Sequence, residues 1–500
     1  MGAVNTNSIS LALAVETEPG KVPGSGAKAE FLEPNALPDY GGSITTTSRS
    51  PISADRQRRK GTITDFSSTV SVEQDLTLSS FLSVIEGAVL AEWQGAPAFA
   101  NLNITATGVA LGATADFALP AGTLILLVGY KNNTGIKKLS DAVVSGTSTE
   151  LKFTGAVAET PAAAYQTRVF VIGYEGASGD LSLTVTNKRG TLSSAAGALA
   201  GLPLTRGCGI WLGGSTESTS FTWSSSVESA LARVVSVGST IELDRISDGV
   251  ITDAGASKTI QIFFGRFMRN VSVNDALFQN PSYSMELVYP DLIADGTDGY
   301  EYSVGNSINT MELAMPLNDK ATLNFTTFGT DTLPVTETSQ NWSTTLPIFT
   351  EAFSTPTDFL RLRMQGADEE GLTTFWKDAT LTINNNIGSE NVLAKLGPAY
   401  TNLGTLNVTL AGNAVFTDKL VTQKIRNNCT CSADLCLYNN EGALYFDIPT
   451  LTIGDGKKDF AVNEKIKISL SGESFSDPEW GYSIGITFFP YLPTAKANLC

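Results

Sequence analysis

The amino-acid sequence predicts a mainly β protein of several domains. Its 500 residues include 46 Gly and 20 Pro, and only 17 % are charged, below the usual share of about 25 %. Hydrophobic residues occur in short runs between turn residues, which is typical of short strands. At roughly 100–200 residues per domain, the length indicates about three domains. We expect two β-sandwich or barrel domains, each with a short helix, plus an inserted immunoglobulin-like β-sandwich.

The first predicted unit begins after an N-terminal arm. Residues 1–40 show no sustained periodicity, so we expect a flexible arm or one that lies on a partner. Residues 41–95 open the first domain: apolar and polar residues alternate in GTITDFSSTVSVEQDLT, as in a half-buried strand. The next segment, SSFLSVIEGAVLAEW, has helical spacing, with Ser79 or Ser80 as the expected N-cap.

An insert is predicted over residues 96–190. Five or more short strands with no helix signal fit a β-sandwich of immunoglobulin-like size, although the cysteine pair and tryptophan of a true immunoglobulin domain are missing. The first domain then resumes over 191–345. It includes a predicted helix in SSVESALARVVSVG and a long strand in KTIQIFFGRFMRNVSV that is kinked at Gly265.

The second domain is predicted over residues 346–500. Its meander of strands and a short helix in DKLVTQKIRNN repeat the style of the first domain. We therefore expect a duplicated architecture at low sequence similarity, interrupted by one insert.

Composition excludes several kinds of active site. The chain has no histidine, which rules out a Ser-His-Asp triad, His-ligated zinc and an imidazole base. The net charge of −17 disfavours ordinary nucleic-acid binding, which depends on Lys and Arg. No catalytic residue and no cofactor are predicted; a glycosidase-like pair of carboxylates stays open as an alternative, because acidic pairs are plentiful.

The five cysteines raise the question of a metal site. Cys429, Cys431 and Cys436, with Cys208 or Cys500 as a fourth ligand, could form a zinc site, but their spacing is unusual for one. We expect core cysteines and no metal. Cys500 is expected to be a frayed terminal thiol, with an intersubunit disulfide as the alternative. The acidic segments DRISDGVITD and GDGKKD are expected to be turns rather than calcium loops.

The most basic stretch of the chain is the candidate assembly contact. Arg49, Arg56, Arg58, Arg59 and Lys60 lie close together in a protein that is otherwise strongly acidic. One copy could therefore place this strip on the acidic surface of the next, and such head-to-tail contacts build rings or stacks. A solvated loop or phosphate contacts are the alternatives.

The basic strip lies in the first of several sequence blocks that carry a family resemblance. The blocks SRSPISADRQRRKGTITDF, KTIQIFFGRFMRN, PSYSMELVYPD and ALYFDIPTLTIG resemble successive segments of siphophage major tail tube proteins, over most of 41–95 and 255–493. The resemblance implies tail-tube-type domains in a long non-contractile tail, whose stacked rings form a β-barrel lumen for the genome. It implies no catalysis and no cofactor.

The resemblance also implies partners and a location. The partners are other copies of the chain and the tape measure, tail terminator and tail tip proteins; double-stranded DNA passes through without specific binding, and no membrane insertion is expected. The protein is expected in the virion tail, assembled in the host cytoplasm.

Barrel geometry predicts the ring size. About four strands from each of two domains give a trimeric ring with pseudo-sixfold symmetry, and a six-chain ring is the rival if the second domain lies outside. A capsid or tail decoration protein or an adhesin-type β-sandwich protein is the alternative function, and a carbohydrate-active enzyme is a third.

Overall fold

The computed structural model describes residues 4–52, 54, 56–161, 166–224, 229–293, 296–366 and 375–493. The fold is mainly β, with two α-helices in these ranges. Before the predicted insert the elements are β1 (Ser10–Val15), β2 (Lys28–Leu32), β3 (Pro34–Arg49), β4 (Arg59–Asp75), α1 (Leu78–Val89) and β5 (Gln94–Gly95).

Twelve strands follow: β6 (Ala98–Ala100), β7 (Gly108–Ala110), β8 (Thr123–Val128), β9 (Gly135–Lys138), β10 (Glu150–Lys152), β11 (Arg168–Glu175), β12 (Leu181–Thr186), β13 (Arg189–Ser194), β14 (Gly209–Leu212), β15 (Leu231–Val237), β16 (Thr240–Asp244) and β17 (Gln261–Phe264).

The C-terminal elements are β18 (Arg266–Arg269), β19 (Tyr283–Ile293), β20 (Thr297–Met315), β21 (Thr322–Gly329), β22 (Asp331–Thr336), β23 (Ser343–Thr345), β24 (Phe359–Gly366), β25 (Trp376–Asn384), β26 (Gly388–Asn391), β27 (Pro398–Asn402), β28 (Asn407–Val415), α2 (Leu420–Arg426), β29 (Thr430–Tyr438), β30 (Ala443–Asp459), β31 (Lys467–Ser474) and β32 (Gly485–Phe489).

The N-terminal segment differs from the predicted arm. β1 pairs with β2 on one edge and with β19 on the other, and Leu11 and Leu13 are buried in the core. The apolar run LALAV is too short to stand out as a period in the sequence. Once β19 lies beside it, however, burial of its side chains favours a central strand over a free arm.

Eight strands form one antiparallel path through the largest sheet. Their order is β3-β4-β21-β20-β25-β28-β31-β30, and every neighbouring pair in this order is antiparallel. We call it the eight-strand path. Its inner face of alternate residues, including Leu313, Leu381 and Leu410, belongs to the main core.

The two helices cover matching places on this path. α1 follows β4 and packs against β20, whereas α2 follows β28 and packs against β30. The apolar residues of α1 at helical spacing, including Phe81, Val84 and Ile85, are fully buried. The helices predicted in SSFLSVIEGAVLAEW and DKLVTQKIRNN are therefore confirmed. The N-cap of α1 is Thr77, however, and Ser80 completes its capping box at the third helical position.

The insert leaves and rejoins the main sheet at adjacent strands. β5 and β18 pair with each other, with Gly95 opposite Arg266, and the chain between them contains a separate ten-stranded sheet. β13 to β17 belong to this sheet as much as β6 and β8 do. The predicted insert end at residue 190 therefore falls inside a continuous sheet, because short alternating strands look alike in sequence on both sides of that position.

One predicted helix is wrong. In SSVESALARVVSVG, residues 225–228 lie outside the described residues, and Leu231–Val237 form β15, a strand between β14 and β16. Leu231, Val234 and Val235 do recur at helical spacing. The β-branched side chains of Val234 and Val235, however, fit a pleated sheet well, and burial between two neighbouring strands decides the outcome.

The predicted kink at Gly265 is confirmed and marks a change of sheet. β17 ends the insert sheet at Phe264, and β18 begins in the main sheet at Arg266. A side chain at Gly265 would be impossible without rearrangement, because a Cβ there would lie 1.8 Å from the carbonyl oxygen of Phe488. The glycine therefore allows the two sheets to approach closely.

Candidate assembly site

A β-hairpin made of β3 and β4 projects from the body of the protein. β4 pairs with β21 only from Ser68 onward, whereas its first nine residues, Arg59–Ser67, pair with β3 alone. At about 3.3 Å per residue this two-stranded ribbon extends about 30 Å. Nearly all of its residues are exposed on both faces. Because an isolated two-stranded ribbon is only marginally stable in water, its shape suits a contact with another molecule.

The base of the hairpin is anchored by Tyr40. Its hydroxyl donates hydrogen bonds to the carbonyl oxygens of Met285 (3.1 Å) and Glu301 (3.2 Å). Burial, reinforced by the negative charge of Glu301, raises the pKa of Tyr40 well above its usual value. The phenol therefore stays protonated as a donor and fixes the direction in which the ribbon leaves the body.

The predicted basic strip occupies the end of this hairpin. Arg49 ends β3, Arg59 and Lys60 begin β4, and Arg56 and Arg58 lie in the connecting loop; all five side chains are exposed. Arg49 lies directly opposite Arg59 in the strand register. Like charges in opposing positions are unfavourable, so an acidic surface in contact with this tip would be stabilising.

A second hairpin, built from β26 and β27, lies beside the first. The Asn391 amide donates to the Asp65 carboxylate at 3.2 Å. The ring of Phe66 lies so close to Gly397 that a Cβ there would be 3.0 Å from it. The tip of this second hairpin exposes Val392, Leu393 and Leu396.

The long strand β20 is paired along both edges. β19 and then β25 occupy one edge, while β21 and β22 occupy the other. The pairing with β25 places Leu313 opposite Leu381, and both side chains are fully buried. Asn385 reinforces this junction, because its amide donates to the carbonyl oxygens of Ala88 and Ile308 at 3.1 and 3.0 Å.

The long strand β30 has similar neighbours but leaves one edge open. β29 pairs with it only as far as Thr452, and β31 and β32 occupy the opposite edge. Over the described residues, Ile453–Asp459 therefore lack a strand at the place where β25 lies on β20. The loop that follows exposes Phe460 and Val462.

The other end of the eight-strand path is also open. β3 pairs with β4, and its outer edge has no strand beside it in the part of the chain that the structure describes. Unpaired edges expose backbone N–H and C=O groups and act as templates for another strand. The eight-strand path thus ends in two open edges, β3 and β30.

The described cysteines are not on the open edges themselves, although Cys431 pairs with Leu451 just before the open edge of β30 begins. Cys208, Cys431 and Cys436 are buried and Cys429 is partly buried, all as free thiols. Desolvation raises the pKa of Cys208 and of Cys436 to about 12, so both stay protonated and unreactive. Among the described residues no group of His, Cys, Asp or Glu side chains is arranged to hold a metal ion. Cys500 lies outside the described residues, and its suggested disulfide stays a prediction.

The open edges are what the sequence analysis missed. It found the basic strip but not that the strip ends a projecting ribbon, and it did not identify β30. The available signal was the length of the alternating runs flanking residues 49–60, which include the apolar Ile44 and Ile63. In the structure both of these side chains are exposed.

Open sheet edges and a projecting hairpin are the features of a structural subunit that assembles through its strands. The chain belongs to the phage tail tube protein family: the family model described as phage tail tube protein matches residues 159–474, more than half of the chain. It is therefore a structural subunit of a phage tail tube. Residues 41–95, which carry part of the resemblance, precede the matched range. No curated protein matches the sequence.

Family membership sets the protein's place in the virion tail. It implies self-association into a tube and contact with other tail proteins. Neither helix in the described ranges has the length and apolar character needed to cross a bilayer.

Proposed function

We propose that three copies of this chain form each ring of the tail tube, with the open edge of β30 in one copy pairing with β3 of the next. The observation that carries this proposal is the eight-strand path with its two open ends. Strand direction alternates along the path, and the number of strands is even. Joining β30 to β3 of another copy therefore continues the antiparallel order around a closed barrel.

The proposed contact between subunits resembles a strand pairing within the chain. The order β3-β4-β21-β20 with α1 on β20 parallels the order β25-β28-β31-β30 with α2 on β30. We infer that the two halves are a structural duplication, and that β30 meets β3 of the neighbouring subunit in the same way as β20 pairs with β25. Such a ring has threefold symmetry and approximate sixfold symmetry.

Barrel geometry favours three copies. Three times eight strands give about 24 strands, a backbone diameter of roughly 45–50 Å and a bore of roughly 35–40 Å. A DNA duplex about 20 Å across passes through such a bore. Six copies contributing all eight strands would double the circumference. A six-chain ring with the second half outside is disfavoured because β25 continues the same sheet as β20.

The acidic composition supports passage of DNA rather than binding. A net charge of −17 repels phosphates over a Debye length of about 8 Å at physiological salt. We propose that the assembled lumen conducts the genome during ejection without retaining it. Filter binding at about 0.15 M salt should detect no more than weak association with duplex DNA; tight binding would contradict this part of the proposal.

Electron microscopy of tubes assembled from the purified protein tests the ring. We expect a hollow tube whose reconstruction improves under threefold averaging and loses detail under strict sixfold averaging. Equal detail under both would contradict the trimer. A subunit that closes its own sheet, with no strand continuing into the next copy, would overturn the proposal as a whole.

A further inference from the structure

A cavity of about 200 Å³ lies where the insert sheet meets the main sheet. Strands β13 and β16 of the insert form one side, and β24 and β29 of the main sheet form the other. We call it the arginine cavity, because its basic wall consists of Lys188, Arg189, Arg233, Arg245 and Arg363.

Positive charge exceeds negative charge around this cavity. Among the described residues that line it, Asp244 is the acidic member against five cations. Behind the wall the buried cluster adds Arg361 and the carboxylates of Asp434 and Asp447. With Asp248, which lies 3.9 Å from Lys188, six cations therefore face four carboxylates, in a protein whose overall charge is −17.

The carboxylates on the Arg233 side already have close partners. Asp244 accepts from Arg233 Nε and Nη2 at 2.8 and 2.6 Å and from Arg189 Nη1 at 3.0 Å. Asp447 accepts from Arg233 Nη1 at 2.7 Å and from the Tyr482 hydroxyl at 3.0 Å. Both oxygens of Asp244 and Oδ2 of Asp447 are thus used, and these contacts balance the charge of Arg233, whereas Asp447 Oδ1 makes no hydrogen bond to a described residue.

Asp434 is committed to the other side of the cluster. It accepts from Arg363 Nε at 3.0 Å and is in close contact with Arg361. The backbone carbonyl oxygen of Arg245 also accepts from both arginines, from Arg361 Nη1 at 3.2 Å and from Arg363 Nη2 at 3.1 Å. These bonds hold the Arg245 backbone in a left-handed conformation with φ of 53°.

The side chain of Arg245 is left poorly satisfied. It is only 7 % exposed, and its nearest carboxylate contacts are long: 3.8 Å from Nη1 to Asp434 and 3.6 Å from Nη2 to Asp447. Its Nη1 is sealed from solvent and makes no hydrogen bond to any described residue, and Asp434 Oδ2 and Asp447 Oδ1 in the same cluster also lack one. Burying a guanidinium without full hydrogen bonding costs free energy, so the binding of an additional acceptor beside Arg245 would be favourable.

Arg363 shows the same surplus of positive charge. Burial lowers its pKa below the usual value, and the nearby Arg361 and Arg245 lower it further, although Asp434 acts in the opposite direction. The Arg363 guanidinium remains charged at neutral pH, but Asp434 offsets its charge only in part.

We propose that the arginine cavity binds a small tetrahedral oxyanion of the phosphate or sulfate class, held by Arg245 and by Lys188 and Arg189. Planar guanidinium groups match two oxygens of such an anion at once, and the ammonium group of Lys188 adds a point charge. The bound anion meets the part of the Arg245 guanidinium that faces the cavity and offsets the excess of positive charge, whereas the sealed Nη1 stays beside Asp434. The anion also links the insert sheet, through β13 and β16, to the main sheet through β24.

Isothermal titration of the full-length protein with inorganic phosphate tests this site at constant ionic strength. We expect one anion to bind per chain. Lys188→Gln should lower the association constant for phosphate about three- to tenfold, and Arg245→Gln should abolish binding. Lys188 is half-exposed and its ion pair with the exposed Asp248 is long, at 3.9 Å, so its substitution leaves the fold intact even if that of Arg245 does not.

The matched control is Lys152→Gln, which removes an equally exposed lysine with a similar surface ion pair, 3.4 Å from Asp141 in the insert. This variant should bind phosphate like the wild type. Absence of phosphate binding by the folded wild-type protein, or binding that Lys188→Gln and Arg245→Gln leave unchanged, would overturn the proposal.

A competition arm separates a free anion from a nucleic-acid phosphate. Short duplex DNA at the same phosphate concentration should not displace inorganic phosphate, because a duplex about 20 Å across cannot enter a cavity of about 200 Å³. Displacement by DNA would place the anion on the exposed side chains of Lys188 and Arg189 alone and contradict a site that includes the buried Arg245. The test uses unassembled protein, so its result is independent of the proposed ring.

Discussion

β20 and β30 are two long strands with similar surroundings and different outcomes. Each has a preceding antiparallel strand on one edge, a following strand on the other and a helix packed against it. On β20 the remaining edge is filled by β25 of the same chain. On β30 the corresponding edge, Ile453–Asp459, is open over the described residues.

The difference shows where folding ends and assembly begins. An edge filled within the chain is buried as the monomer folds, so its disruption should cost monomer stability. An edge that awaits another copy contributes nothing to the monomer, so its disruption should cost only assembly. The proposed ring therefore makes opposite predictions for two similar junctions between strands. We call them the filled seam, between β20 and β25 of one chain, and the open seam, between β30 and β3 of another copy.

The largest expected effect is at the filled seam. Leu381→Asp places a charge in a fully buried position of β25, and we expect it to destabilise the monomer by about 4 kcal/mol or more. Ile44→Asp in β3, where the native side chain is 55 % exposed, should change monomer stability by no more than about 0.5 kcal/mol. Denaturant unfolding measures both.

Assembly completes that comparison. Ile44→Asp should reduce tube formation in sedimentation or electron microscopy while the monomer stays folded. Normal tube yield from this variant, or equal destabilisation of the monomer by both substitutions, would remove the distinction between the two seams.

The next effect concerns the projecting ribbon. Replacing Thr46–Thr64 by Asn-Gly joins Thr45 to Asp65, which face each other in the register, through a two-residue turn. The contacts of Tyr40 and Phe66 are retained. We expect the monomer melting temperature to change by a few degrees at most and tube formation to be lost. Tubes of normal length from this variant would show that the ribbon is dispensable.

The smallest effect is electrostatic. Changing Arg56, Arg58 and Arg59 together to glutamate should leave the monomer folded but hinder stacking, so that single rings accumulate in electron micrographs. Wild-type stacking should weaken with added salt for the same reason, because exposed charges are screened.

The control for this charge reversal is the triple change of Lys131, Lys137 and Lys152 to glutamate on the insert, which alters the net charge equally. If the control hindered stacking as much as the tip variant, the effect would be one of net charge and not of the hairpin tip.

Much of the local structure could be predicted from the sequence. The helical spacing of Phe81, Val84 and Ile85 identified α1, and Gly265 between two apolar runs identified the kink. These features depend on neighbours within one or two turns of chain, so their signals are contained in short segments.

The errors share a different cause. Leu231–Val237 has helical spacing but forms a strand, and Leu11 and Leu13 lie in a central strand of a segment that lacks any long period. In both cases the conformation depends on strands outside the segment: β14 and β16, which lie on either side of β15, and β19, which is far from β1 in the sequence. Short segments do not contain that information.

The sequence by itself determined the mainly β character, the absence of histidine chemistry, the basic strip and the family to which its blocks point. Only the tertiary structure decided that ten of the twelve strands between residues 98 and 264 share one sheet, that the strip ends a projecting ribbon, and that β3 and the Ile453–Asp459 part of β30 have one unpaired edge over the described residues. Composition and periodicity describe what each segment prefers. Strand partners are chosen by packing between residues hundreds of positions apart, so open edges appear only when every strand has been placed.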